Sequence, residues 1–212
     1  MNNKEKIQKL VGVSLLTALV VAFQLMSNYI QIGSISITLA LVPLAVGAIL
    51  YGPLVGLFLG LVMGGLIISA PSTIAVFFPV SVPLTVVLCL IKTGVAGLVA
   101  GFIFKGFAAV AKKEEDEKKK NILFAIGVIL AVVLIPVINT GIFMIGAELF
   151  FLDVFGNFAG IVGAVITANF ALEFGIAVVL SPAVVTVIKV LIKNSNLGFN
   201  KDFVSFTKAI EF

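Results

Sequence analysis

Between Lys9 and Lys92 the chain carries no charged residue. Soluble domains interrupt their apolar elements with charge every few positions, and their charged fraction is about 25%; here it is 11%, against 61% hydrophobic residues in 212. Long uncharged apolar runs are the signature of membrane-spanning helices, each needing about 20 such residues. With allowance for loops, the length supplies about five to seven spans and leaves no room for a large soluble domain. The charge that remains is concentrated in a few short stretches.

That distribution excludes several classes of function. There is no Arg, and the lysines sit at the edges of the apolar runs, so nucleic-acid binding is not supported. Histidine is absent, which removes zinc hydrolysis of the H-E-x-x-H type and a Ser-His-Asp triad. No G-x-x-x-x-G-K-[ST] loop occurs, so any uphill work draws its energy from elsewhere. Cys89 is the only cysteine; it cannot form an intrachain disulfide, and its apolar run reads as inert packing.

Six spans follow from the punctuation, at about 10–27, 37–50, 53–69, 82–104, 122–151 and 159–180. The first follows Lys4, Lys6 and Lys9 and lacks a small-residue cleavage site, so it reads as a retained helix. Tyr51-Gly52-Pro53 marks a turn between the second and third. Residues 70–79, with Pro71 and Pro79, read as a loop, and Pro136 is expected to kink or break the fifth span. Residues 105–120, six lysines against Glu114, Glu115, Asp116 and Glu117, read as a solvated linker. In this arrangement thirteen of fourteen lysines fall on one face, and the positive-inside rule makes that face cytoplasmic, with both termini. The expected fold is an all-α integral membrane protein, a single six-helix bundle.

Small residues recur at helical spacing. Gly52, Gly56, Gly60 and Gly64 stand four apart, as do Gly97 and Gly101, Ala18 and Ala22, and Gly160, Ala164 and Ala168. Each stripe permits a close backbone approach, inside the chain or against a partner.

Ionisable groups at membrane depth are costly and need a partner or a cavity. Lys92 lies about ten residues, or about 15 Å, into the fourth span. Glu173 is placed some fourteen residues into the sixth, about one turn deeper, with Asn169 one turn above it. The two charges either pair with each other or meet a ligand. Asn139 and Thr140 follow Pro136, where a loosened helix favours a pocket. Thr38, Ser72 and Thr73 are placed where they close over a ligand entering from outside, whereas Glu148 and Asp153 read as solvated. No nucleophile has a base beside it. The arrangement reads as a small-molecule binding site without a catalyst.

The run ITLALVPLAVGAILYGPLVGLFLG from Ile37 to Gly60 resembles the second and third helices of the substrate-binding S components of energy-coupling factor (ECF) vitamin transporters. The Ala18-x-x-x-Ala22 stripe, the run PVINTGIF from Pro136 and the run NFALE from Asn169, followed by Ser181-Pro182, extend the resemblance over nearly the whole chain. The resemblance implies a six-helix protein that captures a vitamin from outside and docks on a membrane coupling protein carrying two cytoplasmic ATPases. It implies no cofactor in this chain, since ATP is used by the partners. Ala18 and Ala22 then become docking residues, and Thr38, Ser72, Thr73, Lys92, Asn139, Thr140, Asn169 and Glu173 become candidate substrate contacts. The run TVVLCLIKTG around Lys92, combined with PVINTGIF, looks most like members assigned to pantothenate, with folate and riboflavin as alternatives. A different class of reading is a self-sufficient secondary transporter in which Lys92 and Glu173 exchange a proton.

Overall fold

The computed structural model describes residues 3–29, 31–32, 35–36, 38–165 and 170–194. Its helices are α1 (Asn3–Tyr29), α2 (Leu41–Tyr51), α3 (Pro53–Ile68), α4 (Pro71–Phe77), α5 (Val82–Ala111), α6 (Glu117–Phe150), α7 (Leu152–Phe155), α8 (Phe158–Val165) and α9 (Ala171–Asn194). A two-residue antiparallel ladder, β1 (Gln31–Ile32) with β2 (Ile35–Ser36), joins α1 to the segment before α2. The fold is an all-α bundle of a multi-pass membrane protein. Among the described residues α1, α5, α6 and α9 are each long and apolar enough to cross a bilayer, and α3 with α4 makes a fifth candidate bent by 70°.

The short helix α2 is the centre. Ten of its eleven residues are buried, from Leu41 to Tyr51 with Val42 alone half-buried. A helix apolar on every side belongs in the middle of a bundle, and α2 packs against α1, α3, α5, α6 and α9. Around it Leu59 and Met63 of α3, Phe124 and Ile135 of α6 and Ile188 of α9 are almost wholly buried.

The glycine stripe packs inside the chain. Gly52 stands at a positive φ of 96° between α2 and α3, a conformation that suits glycine, and Pro53 then opens α3. The other three lie on the α3 face turned to α5. A methyl group on Gly56 would collide with the Gly97 carbonyl, one on Gly60 with that of Thr93, and one on Gly64 would stand 2.6 Å from that of Cys89. Gly101 lies likewise against Pro53.

Several boundaries differ from the sequence reading. α1 runs on through Asn28, because that side chain is buried and bonded and does not belong to a polar loop. α2 begins at Leu41 instead of 37, and residues 71–77 of the expected loop form α4 with Pro71 in its first turn. The charged linker is mostly helical: α5 reaches Ala111, and Asp116 caps α6 by accepting from the Lys118 N–H at 2.8 Å. α6 passes unbroken through the buried Pro136, whose one missing donor is tolerated where neighbouring helices enclose it. Of the span expected at 159–180 the described residues give α8 and α9, the latter containing Pro182 and staying apolar to Leu191; residues 166–169 lie outside the described residues. Ala168 of the third small-residue stripe lies outside the described residues.

The two ends of the bundle are unlike. At one, Gly12 lies on the Tyr51 ring and Pro53 on Gly101, on the side of the lysine-rich α5–α6 turn. At the other, the end of α3, α4, the start of α5 and the end of α6 converge. Replacing Gly60 by alanine is expected to lower the melting temperature in detergent, with an overpacking cost of about 1–3 kcal/mol. The matched Gly65→Ala, which meets nothing within 4 Å, should leave it unchanged.

Candidate functional site

A small cleft opens at the end of the bundle opposite the lysine-rich turn. One wall is α5, which presents Thr85, Leu88, Cys89 and Lys92 at helical spacing. Ile67 at the end of α3, Thr73 and Phe77 of α4, Phe143 of α6 and Phe151 complete it. Its lining is mostly apolar with few polar groups, the composition of a small-molecule site.

Phe77 holds the rim together. Its ring meets Phe143 at 5.8 Å and Phe151 at 5.2 Å, both edge to face, and Phe155 at 6.2 Å. The seven-residue α4 thus rests its last residue on an aromatic cluster built from α6, α7 and the residue between them. Thr85 adds a bond from its hydroxyl to the Phe77 carbonyl at 3.3 Å while donating to Ser81 O at 2.7 Å.

Lys92 is the charged group of the cleft. Its Nζ stands 4.8 Å above the centre of the Phe143 ring, and among the described residues no carboxylate lies within 4 Å of it. A cation over an aromatic face gains about 0.5–2 kcal/mol, which holds the ammonium in place while leaving its N–H donors available. The contact ion pair with Glu173 weighed from the sequence does not form. The Lys92 ammonium is turned to the Phe143 ring instead. Glu173 is nonetheless buried on α9, close enough to Lys92 to feel its charge.

The remaining sequence candidates divide. Thr73 is buried and lines the cleft, whereas Ser72 beside it is exposed on the outer side of α4. Asn139 and Thr140 are buried on α6, one turn from Phe143 towards the lysine-rich end. The Asn139 Oδ1 has no hydrogen-bond partner there. Asn169 lies outside the described residues. Ala18 and Ala22 are exposed on α1, on the side away from the buried Val20, Gln24 and Asn28.

Sequence reasoning missed the aromatic rim and read Cys89 as packing alone. Nineteen phenylalanines scattered through apolar runs give no signal of which four will converge. Leu88, Cys89 and Lys92 could have been grouped by their spacing on one helix face.

Truncating Phe77→Ala is expected to free α4 and to raise the rate at which a small thiol reagent modifies Cys89 several-fold, read by mass spectrometry of the single-cysteine chain. An unchanged rate would mean that the aromatic cluster does not control access to the cleft.

Residues 8–185 match the family model of the ECF transporter substrate-specific component. Comparison with curated proteins and with solved structures gives no significant match. With that match covering most of its length, the chain belongs to the family of ECF transporter substrate-specific components.

Proposed function

We propose that this chain is the high-affinity capture subunit of an ATP-driven importer, and that it binds a compact water-soluble vitamin, with pantothenate as the first candidate, in the cleft beside Lys92. The observation that carries the reading is the Lys92 ammonium: it lines a mostly apolar cleft, is steadied by the Phe143 ring and has no carboxylate in contact among the described residues. Such a group is suited to receive a carboxylate. Asn139, one turn below Phe143 with an unused buried acceptor, supplies a place for a hydroxyl or amide donor.

The chain has no nucleotide-binding loop of its own, so energy enters through partners: a membrane coupling protein and two cytoplasmic ATPases. The exposed Ala18 and Ala22 give α1 a smooth strip on which such a partner's helix can lie closely. The chain itself holds no cofactor and catalyses no reaction in this reading. The alternative, proton-coupled transport by the chain alone, is favoured by one observation, the buried Glu173 within the field of Lys92.

Native mass spectrometry of the purified protein, followed by titration with pantothenate and other vitamins, tests the assignment. Lys92→Ala is expected to weaken pantothenate binding by about 10–100-fold, the equivalent of a hydrogen bond to a charged group. Asn139→Ala should cost about tenfold. Unchanged affinity in both would remove the cleft as the capture site. Vesicles containing the chain alone should accumulate no substrate under a pH gradient; accumulation would establish the secondary transporter instead.

A further inference from the structure

The buried polar residues of α1 are not used by the reading above, and they are aimed at the end of α3. Gln24 and Asn28 lie one turn apart and are 4% and 8% exposed. The Gln24 Nε2 donates to the Asn28 Oδ1 at 2.8 Å, which fixes the Asn28 amide so that its Nδ2 donates to the Leu66 carbonyl at 3.0 Å. The last four carbonyls of a helix have no intrahelical donor. That of Leu66 is met twice, by Asn28 and by Ser69 Oγ at 2.7 Å. Immediately beyond it the chain bends by 70° into α4.

This is a sensitive place for a bond between helices. Ile67, the next residue, lines the cleft, and so do Thr73 and Phe77 on the far side of the bend. α4 is only seven residues long and touches α3 over few residues, so its direction depends on how the last turn of α3 is held. On its opposite face the same α1 exposes Ala18 and Ala22.

We propose that the Gln24–Asn28 pair, by grasping the Leu66 carbonyl, positions the α4 rim of the cleft, so that α1 and the rim move as one body. Asn28 is a positioning residue for substrate capture, with Gln24 orienting it. This role rests on the cleft being the capture site, and it makes the seating of α4 and the attitude of α1 mutually dependent: whatever displaces one strains the other. In water two such hydrogen bonds would be exchanged for solvent at little net cost, but between membrane helices the loss of Asn28 leaves the Leu66 carbonyl to Ser69 alone and the buried Gln24 amide without its acceptor.

The test needs no ligand. The rate of Cys89 modification by methyl methanethiosulfonate is measured on the full chain in lipid nanodiscs, for the wild type, Asn28→Leu, Gln24→Leu and Thr17→Val. Thr17→Val removes the Thr17 to Val13 carbonyl bond, 2.8 Å, on the same stripe of the helix but about three turns from Asn28. Asn28→Leu is expected to raise the rate about tenfold and Gln24→Leu about threefold, with Thr17→Val within twofold of the wild type even where its melting temperature falls as far. Equal rates in Asn28→Leu and the wild type, or an equal rise in Thr17→Val, would overturn the proposal. If Asn28→Leu does not fold, Gln24→Leu decides alone, a wild-type rate overturning the proposal. Pantothenate protection of Cys89 in the wild type is scored separately: its absence counts against the capture site, while the ligand-free rates still judge the grasp on Leu66.

Discussion

Along Gly56, Gly60 and Gly64 the backbone of α3 lies directly on that of α5, with the Thr93 hydroxyl against Gly64. Within a bilayer there is little hydrophobic gain from bringing two apolar helices together, since lipid tails are as apolar as leucine, so close packing of this kind must supply the adhesion. The seam does more than join two helices. It fixes the end of α3 beside the start of α5, and this decides which α5 residues face the gap that α4 and α6 then enclose. Cys89 and Lys92 flank the Thr93 and Gly94 backbone on which Gly60 rests, so the cleft and the seam are parts of the same contact surface.

The cleft follows from what the seam leaves unfilled. α3 stops at Ile68, the chain turns sharply, and the brief α4 must cover ground that a straight continuation of α3 would have left open. It does so with one large ring, Phe77, set among rings from α6 and beyond. The lone ammonium is placed by the same cluster, since Phe143 contacts both Phe77 and Lys92. A single aromatic side chain thus links the rim to the charge beneath it.

What could be read from the sequence was whatever depends on one helix at a time. The uncharged interval up to Lys92, the glycine spacing and the Gly52-Pro53 turn each carry their meaning locally, and the bundle and the α3 stripe followed from them. Features that need two helices were not legible. Asn28 looked like a loop residue because the acceptor that makes it helical belongs to Leu66, thirty-eight residues away in the chain. Lys92 and Glu173 looked like a contact pair because their depths along two helices matched, whereas the Lys92 ammonium is turned to Phe143 on a third. Thr73 and Ser72 are neighbours of the same chemistry, and only the direction of α4 separates the one that lines the cleft from the one in the open.

The brevity of α2 carries a consequence for the membrane as an electrical insulator. Eleven residues give about 16 Å of helix where a bilayer core measures about 30 Å. Taken alone, α2 spans about half of that depth. Along that half, ten buried residues from Leu41 to Tyr51 close the path with tightly packed hydrocarbon and one tyrosine. Leakage, the hazard of any protein that admits polar cargo into a membrane, is held off here by its shortest central helix.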